Sequence, residues 1–158
     1  MKVYTIPVLS TNYAYLLVDP RTQVCAAVDP ATPEAVLQKV QAHGLQLKMV
    51  LTTHHHSDHS GGNLALASLR PGLAIVGAKG GNVPGATQLL GDGEQLRLGS
   101  ITITCVNTPY HTTSHACYLC TAPSGDPILF TGDALFLGGS GRCFTGDFSL
   151  MAASLGRL

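Results

Sequence analysis

The segment Thr53-His54-His55-His56-Ser57-Asp58-His59 places five side chains that can ligate a metal within six consecutive positions. Imidazole and carboxylate together suit Zn²⁺ or Fe²⁺ and disfavour a metal that wants soft thiolates. A histidine tag would sit at a terminus and would not contain Asp58; a solvated polar loop is the other plain reading. Two more candidates lie further on. His111 falls in Thr108-Pro109-Tyr110-His111-Thr112, after the apolar run Ile101 to Val106, and Asp133 falls in Thr131-Gly132-Asp133-Ala134, after Ile128 to Phe130. A lone His or Asp after a strand is ordinarily a turn residue. Beside the first cluster, the two supply what a pair of metals needs.

All three ligand segments stand where an apolar run gives way to a loop, which is where α/β scaffolds build sites. One helix face could not aim five neighbouring side chains at one point, so an irregular loop is expected over 53–60. It follows the run Leu47 to Thr52, expected as a strand buried on both faces. Earlier strands are expected at Val3 to Val8, Ala14 to Val18 and Cys25 to Val28, punctuated by Asn12, Asp19-Pro20 and Asp29-Pro30. Thr32-Pro33-Glu34 reads as the cap and first turn of a helix. Val36, Leu37, Val40 and His43 share its face, and Gly44 stops it. A short helix is expected over Leu64 to Leu69, then a strand over Leu73 to Val76. Gly77 to Gly93 reads as a glycine-rich connection. Strands follow at Gln95 to Leu98, Ile101 to Val106, Cys117 to Thr121 and Ile128 to Thr131, with a last helix from Phe148 towards Leu155. Hairpin-grouped strands with about three interspersed helices predict sheets covered by helices on their outer faces.

Composition sets the bounds. The 158 residues suffice for one domain, and only 11% are charged against 45% hydrophobic, so much of the chain should be buried. Nine acidic and nine basic residues cancel, leaving no footprint for nucleic acid or an anionic membrane surface. No apolar stretch is long enough for a membrane span, and Met1 to Ile6 lacks the pattern of a signal peptide. The five cysteines follow no disulfide spacing, which favours a reducing compartment. Cys117-x-x-Cys120 sits in a strand-like run without a second pair, so buried structural thiols are expected there.

The chain resembles the metallo-β-lactamase superfamily, and within it the glyoxalase II (hydroxyacylglutathione hydrolase) family. The resemblance rests on T-H-x-H-x-D-H at Thr53 to His59, G-G-N at Gly61 to Asn63, P-x-H-T at Pro109 to Thr112 and G-D-x-L-F at Gly132 to Phe136. Gly139-Ser140-Gly141-Arg142 and the opening Pro7 to Leu16 add to it. The implied fold is an α/β sandwich of the αββα type, with residues 1–158 as one metallo-β-lactamase-like domain. The implied ligands of one metal are His54, His56 and His111. Asp58 and His59 would hold a second, with Asp133 bridging the two. A water shared by two close cations is acidified from a pKa of 15.7 towards about 7. It would attack a thioester carbonyl, converting S-D-lactoylglutathione to glutathione and D-lactate. Asp58 and Asp133 are the implied catalytic carboxylates. Arg142 stands where the family grips the glutathione glycine carboxylate, which a guanidinium does with two parallel hydrogen bonds. Phe144 replaces a Tyr found in some members. His115 is expected to be structural and His55 to face outward. Tyr110 is a departure, since Gly or Cys is common before the ligand His111.

The family's further His, in a G-H-E segment, and its C-terminal helical domain have no counterpart here; all seven histidines lie at or before His115. The sandwich is therefore expected to be incomplete on its C-terminal side, with an exposed sheet edge, and the second metal to be weakly held. Two rival readings share the residues: a persulfide dioxygenase-like enzyme with a single iron, and a catalytically inactive metal-binding or interaction protein. A cytoplasmic setting is expected, or the mitochondrial matrix for a longer form with a transit peptide.

Overall fold

The computed structural model describes residues 1–158. Ten strands form two sheets. The first contains β1 (Lys2–Val8), β2 (Asn12–Asp19), β3 (Val24–Val28), β4 (Gln46–Leu51), β5 (Ala74–Ala78) and β6 (Gln88–Leu90), in that spatial order. β1, β2 and β3 are antiparallel, and β3 to β6 run parallel. The second is an antiparallel meander of β7 (Gln95–Leu98), β8 (Ile101–Asn107), β9 (Ala116–Thr121) and β10 (Ile128–Phe130). Four helices accompany them: α1 (Pro33–Ala42), α2 (Ser57–Ser60), α3 (Asn63–Leu69) and α4 (Phe148–Leu155).

The layers follow from side-chain alternation. In β2, Ala14, Leu16 and Val18 face Val36 and Val40 of α1 and Leu66 of α3. Leu17 points the other way, into a core shared with Ile101, Ile103, Tyr118 and Cys120 of the second sheet. Period-two alternation thus gives β2 two buried faces. A third, smaller cluster of Tyr110, Cys117 and Ala134 receives Leu150, Met151 and Leu155 of α4 on the outer side of the second sheet. The order is helices, sheet, sheet, helix, the αββα sandwich expected from the sequence. Asp19 joins the two sheets: its fully buried carboxylate accepts from Arg21 N at 2.9 Å and Ser100 N at 2.7 Å. These bonds hold its pKa down at about 2.

Several local expectations are corrected. The polar cluster is not wholly irregular, because Ser57–Ser60 coils into one helical turn. β6 lies inside the segment read as a glycine-rich connection; three residues are too few for a periodic signal, and its parallel pairing with β5 creates it. β4 is not buried on both faces throughout: Lys48 is exposed, and only Val50 and Leu51 are fully buried. Thr32 occupies the cap position of α1 without a side-chain cap bond. Cys117 and Cys120 fall on opposite faces of β9, in different clusters. Burial pushes their thiols up to about 11 and about 12, as inert structural cysteines require. No helix is long and apolar enough to cross a membrane.

β10 pairs only with β9, and β1 only with β2. Between these two edges opens a cavity of about 800 Å³, floored by Val3, Tyr15, Val28 and Phe130. Leu135, Phe136 and Leu137 beside it are exposed.

Candidate metal centre

Four strands end beside one another and deliver the polar residues. β3 ends at Asp29, β4 feeds His54 to His59, β8 feeds Tyr110 and His111, and β10 feeds the 3₁₀ turn Gly132–Ala134 that carries Asp133. His54, His56 and His111 bring one ligand atom each to within 4.8 Å of one another, and so do His54, His59 and Asp133. His56 Nδ1 lies 3.1 Å from both His54 Nε2 and His111 Nε2. The Asp133 carboxylate spans the two groups, with Oδ2 3.1 Å from His111 Nε2 and Oδ1 3.0 Å from His59 Nε2. Asp58 Oδ2 is 3.6 Å from His59 Nε2. The structure therefore gathers all six side chains proposed from the sequence. His55 is exposed and belongs to neither group.

The hydrogen bonds behind the histidines fix which nitrogens face inward as lone pairs. Asp29 Oδ2 accepts from Thr53 Oγ1 at 2.7 Å, and Oδ1 from Thr53 N at 2.8 Å. The Thr53 hydroxyl proton is thereby committed, so at 3.0 Å it accepts from His54 Nδ1. His54 Nε2 is left as a lone pair. His111 Nδ1 donates to the Arg142 carbonyl at 2.9 Å, leaving its Nε2 likewise. His59 Nδ1 donates to Asp29 Oδ2 at 2.9 Å. His56 Nδ1 stands 3.1 Å from the lone pairs of both His54 and His111; as the neutral ring protonated at Nε2 it adds a third, and a cation is what the three would jointly accept. His59 Nε2 is buried without an aligned hydrogen-bond partner, although it lies 3.0 Å from Asp133 Oδ1. A buried polar atom left in that state is costly, and a divalent cation between His59 and Asp133 would satisfy it. The residues fit a metal.

Electrostatics agree. Burial, followed by the neighbouring imidazoles, holds His54 far below the ordinary histidine range, as a neutral ligand requires. His56 is lowered for the same reasons. Burial acts against a charged His59, but the Asp133 and Asp29 carboxylates outweigh it and raise the group to about 10. Without a metal, a proton at His59 takes the place of the cation. Asp133 is lowered, its burial being outweighed by His59.

His115, Asp29, Thr53 and Asn12 complete the frame. His115 is fully buried, donates to Thr108 Oγ1 at 2.8 Å and accepts from Asp133 N at 3.2 Å. Burial lowers it to about 4, so it stays neutral and keeps that acceptor nitrogen. Asn12 Nδ2 donates to Asp58 Oδ2 at 2.9 Å. Gly132 has φ +47°, and a Cβ there would lie 2.5 Å from Thr53 Oγ1. A Cβ on Gly141 would overlap the Asp133 carbonyl oxygen. Sequence reasoning had Asp29 only as turn punctuation and assigned Thr53 no role. Asp29's one signal was its place at a strand end, shared by many turn residues.

Arg142 and Phe144 do not line the cavity. The Phe144 ring centre is 5.2 Å from that of His111 and 5.6 Å from that of His56. The Arg142 guanidinium lies over Phe144 at 5.1 Å, and both side chains are exposed. The cavity meets the site at Asp29, Asp58, His59 and Asp133, not at His54, His56 or His111.

The profile of the metallo-beta-lactamase superfamily matches residues 10–155. The chain belongs to that superfamily. Over 163 residues it is 45% identical to the hydroxyacylglutathione hydrolase-like protein of Homo sapiens, a match covering 100% of this chain and 55% of the human protein. It is 41% identical over 157 residues to the cytoplasmic hydroxyacylglutathione hydrolase of Arabidopsis thaliana, covering 98% of this chain and 61% of that one. The crystal structure of ETHE1 from Myxococcus xanthus superposes with a TM-score of 0.87 at 32% identity, covering 100% of this chain and 69% of the other. The resemblance read from the motifs is borne out: the superfamily profile matches, and relatives at 41% and 45% identity are named as hydroxyacylglutathione hydrolases or like them. The chain spans little more than half the length of the curated relatives it matches.

Proposed function

We propose that residues 1–158 form the metal-carrying domain of a glyoxalase II-type hydrolase that cleaves a glutathione thioester, S-D-lactoylglutathione, into glutathione and D-lactate. One observation carries the reading: the Asp133 carboxylate lies against both groups of converging ligands, with Oδ2 3.1 Å from His111 Nε2 and Oδ1 3.0 Å from His59 Nε2. The names of the human and Arabidopsis relatives supply the substrate class, and the Arabidopsis name supports a cytoplasmic setting.

His54, His56 and His111 would hold one Zn²⁺ or Fe²⁺, with Asp58, His59 and Asp133 holding the second more weakly. Bound cations supply a Lewis acid and lower the pKa of water at the site. The protein's part is placement. Thr53 and the Arg142 carbonyl set the tautomers of His54 and His111, and Asn12 turns Asp58 inward. Half-exposed Asp58 can take up the proton released when water attacks the carbonyl, while Asp133 holds the two ligand groups in register. Arg142 is free to pair with a substrate carboxylate in two parallel hydrogen bonds. Phe144, edge-on to His56 and His111, would form an apolar rim.

The single-metal rival draws on one feature. His54, His56 and His111 are a complete three-ligand set with an open position, whereas the second set, Asp58, His59 and Asp133, contains only one imidazole. The test is cleavage of S-D-lactoylglutathione in excess Zn²⁺ or Fe²⁺, run beside the longer Arabidopsis relative. The expected result is metal-dependent cleavage, lost in Asp133→Ala. Its rate should be at least about 100-fold below the longer protein's, because misplacing a substrate by about 1 Å costs that much. Comparable rates would show that these residues form a self-sufficient site. Metal-loaded protein that leaves the thioester intact would favour the interaction protein; oxygen-dependent turnover of a persulfide with one iron would favour the dioxygenase.

A further inference from the structure

Tyr110 stands directly before His111, at a position where the glyoxalase II resemblance implies Gly or Cys. It is fully buried, and its ring packs with Cys117 and Ala134 beneath the site. Its hydroxyl donates to the Ala134 carbonyl and lies 3.4 Å from the Asp133 carbonyl. Its own carbonyl accepts from Thr145 N at 3.3 Å, which ties down the turn bearing Arg142 and Phe144. One residue thus touches three parts of the centre: His111 through the chain, the Asp133 turn through the hydroxyl, and the Arg142–Phe144 turn through the main chain.

We propose that Tyr110 is a positioning residue for Asp133, its buried hydroxyl holding the 3₁₀ turn at the depth where the carboxylate reaches both metal groups. This rests on the metal reading above. The Asp133 main chain has two other anchors, N–H to His115 Nε2 and C=O from Gly141 N at 2.9 Å. Both act on Asp133 itself, from the His115 and glycine-turn sides. The carbonyl of buried Ala134, the last residue of the turn, has the Tyr110 hydroxyl as its partner. Glycine or cysteine at position 110 would have no atom able to reach it. Loss of that bond leaves a buried acceptor unpaired, and the turn must shift to find another partner. A shift there is felt most where Asp133 matters most. His111, His56 and His54 make a set without it, whereas the other cation has only His59 and Asp58 besides.

The experiment is a Zn²⁺ titration against a competing chelator, repeated with Co²⁺ for its visible spectrum, on the wild-type protein, Tyr110→Phe and Met151→Ala. Tyr110→Phe removes one oxygen and keeps the ring, so the fold is retained, which the melting temperature of the metal-free protein verifies. Met151 packs against the same cluster but offers no hydroxyl. In Tyr110→Phe the second equivalent should bind about tenfold more weakly, as loss of an outer-shell partner typically causes. Its Co²⁺ spectrum should shift, while the first equivalent changes less than about twofold, since its three imidazoles do not depend on that partner. Met151→Ala should lower the melting temperature and leave the ratio of the two constants unchanged. Unchanged constants in Tyr110→Phe would overturn the proposal. So would equal weakening of both equivalents, matched by Met151→Ala, because that would mean general loosening. Wild-type protein that binds no metal would overturn the metal reading itself, and this proposal with it.

Discussion

Asp29 shows what a single carboxylate decides. Its two oxygens accept from Thr53 N, Thr53 Oγ1 and His59 Nδ1, and through Thr53 it also sets the tautomer of His54. Its φ of +47° is a conformation Asn also tolerates. Asp29→Asn therefore changes the chemistry while keeping the backbone. An amide presents one acceptor oxygen where three donors converge, so at least one is left facing an N–H. Metal affinity at the His59 group should fall about 10- to 100-fold. In the metal-free protein the His59 pKa, now about 10, should drop, because a carboxylate that raises it is gone. Isothermal titration and imidazole NMR read the two effects; unchanged values in both would show Asp29 to be only a turn residue. The residue was not legible because its partners lie 24 and 30 positions away. An Asp-Pro after a strand looks the same whether or not they exist. The histidines were legible because five ligating residues, four His and one Asp, crowd one short segment, and no common structural need produces that.

At the scale of elements, strand ends carry the site, and these were largely readable. Apolar runs leading into His111 and Asp133 marked β8, β10 and the ligand-bearing turns beyond each. The finer pieces needed tertiary contacts. The turn of α2 forms in a Ser-Asp-His-Ser stretch without apolar period, and the 3₁₀ turn at Asp133 is fixed by His115, Gly141 and Tyr110 from elsewhere in the chain. Gly132 is the hinge of that turn, pressed against Thr53 and His115. Gly132→Ala combines a left-handed φ with contacts of 2.5 Å to Thr53 Oγ1 and 2.9 Å to His115 Nε2. Strain of this kind costs about 1–3 kcal/mol, so thermal unfolding should show a clear loss of stability together with weaker metal binding. Wild-type melting and metal affinity in Gly132→Ala would mean that the turn does not need the close approach.

At the scale of the molecule, the αββα layering was legible because strands grouped by hairpins are interspersed with helices. Sheet membership was not written in periodicity alone. Asp19 links the β2–β3 turn to the β7–β8 hairpin across 81 positions, a contact with no local signature. The two sheets meet at the strand ends that carry the ligands, and the apolar cavity opens from the side of Asp58, His59 and Asp133. The central claim is that this arrangement exists to hold metal, one ion firmly at His54, His56 and His111. It is tested most directly by elemental analysis of the folded protein, loaded with excess Zn²⁺ and dialysed exhaustively against metal-free buffer. The expected result is nearer one metal than two per chain, falling to none when His54 and His111 are both replaced by Ala. A folded wild-type chain that retains no metal would contradict the account.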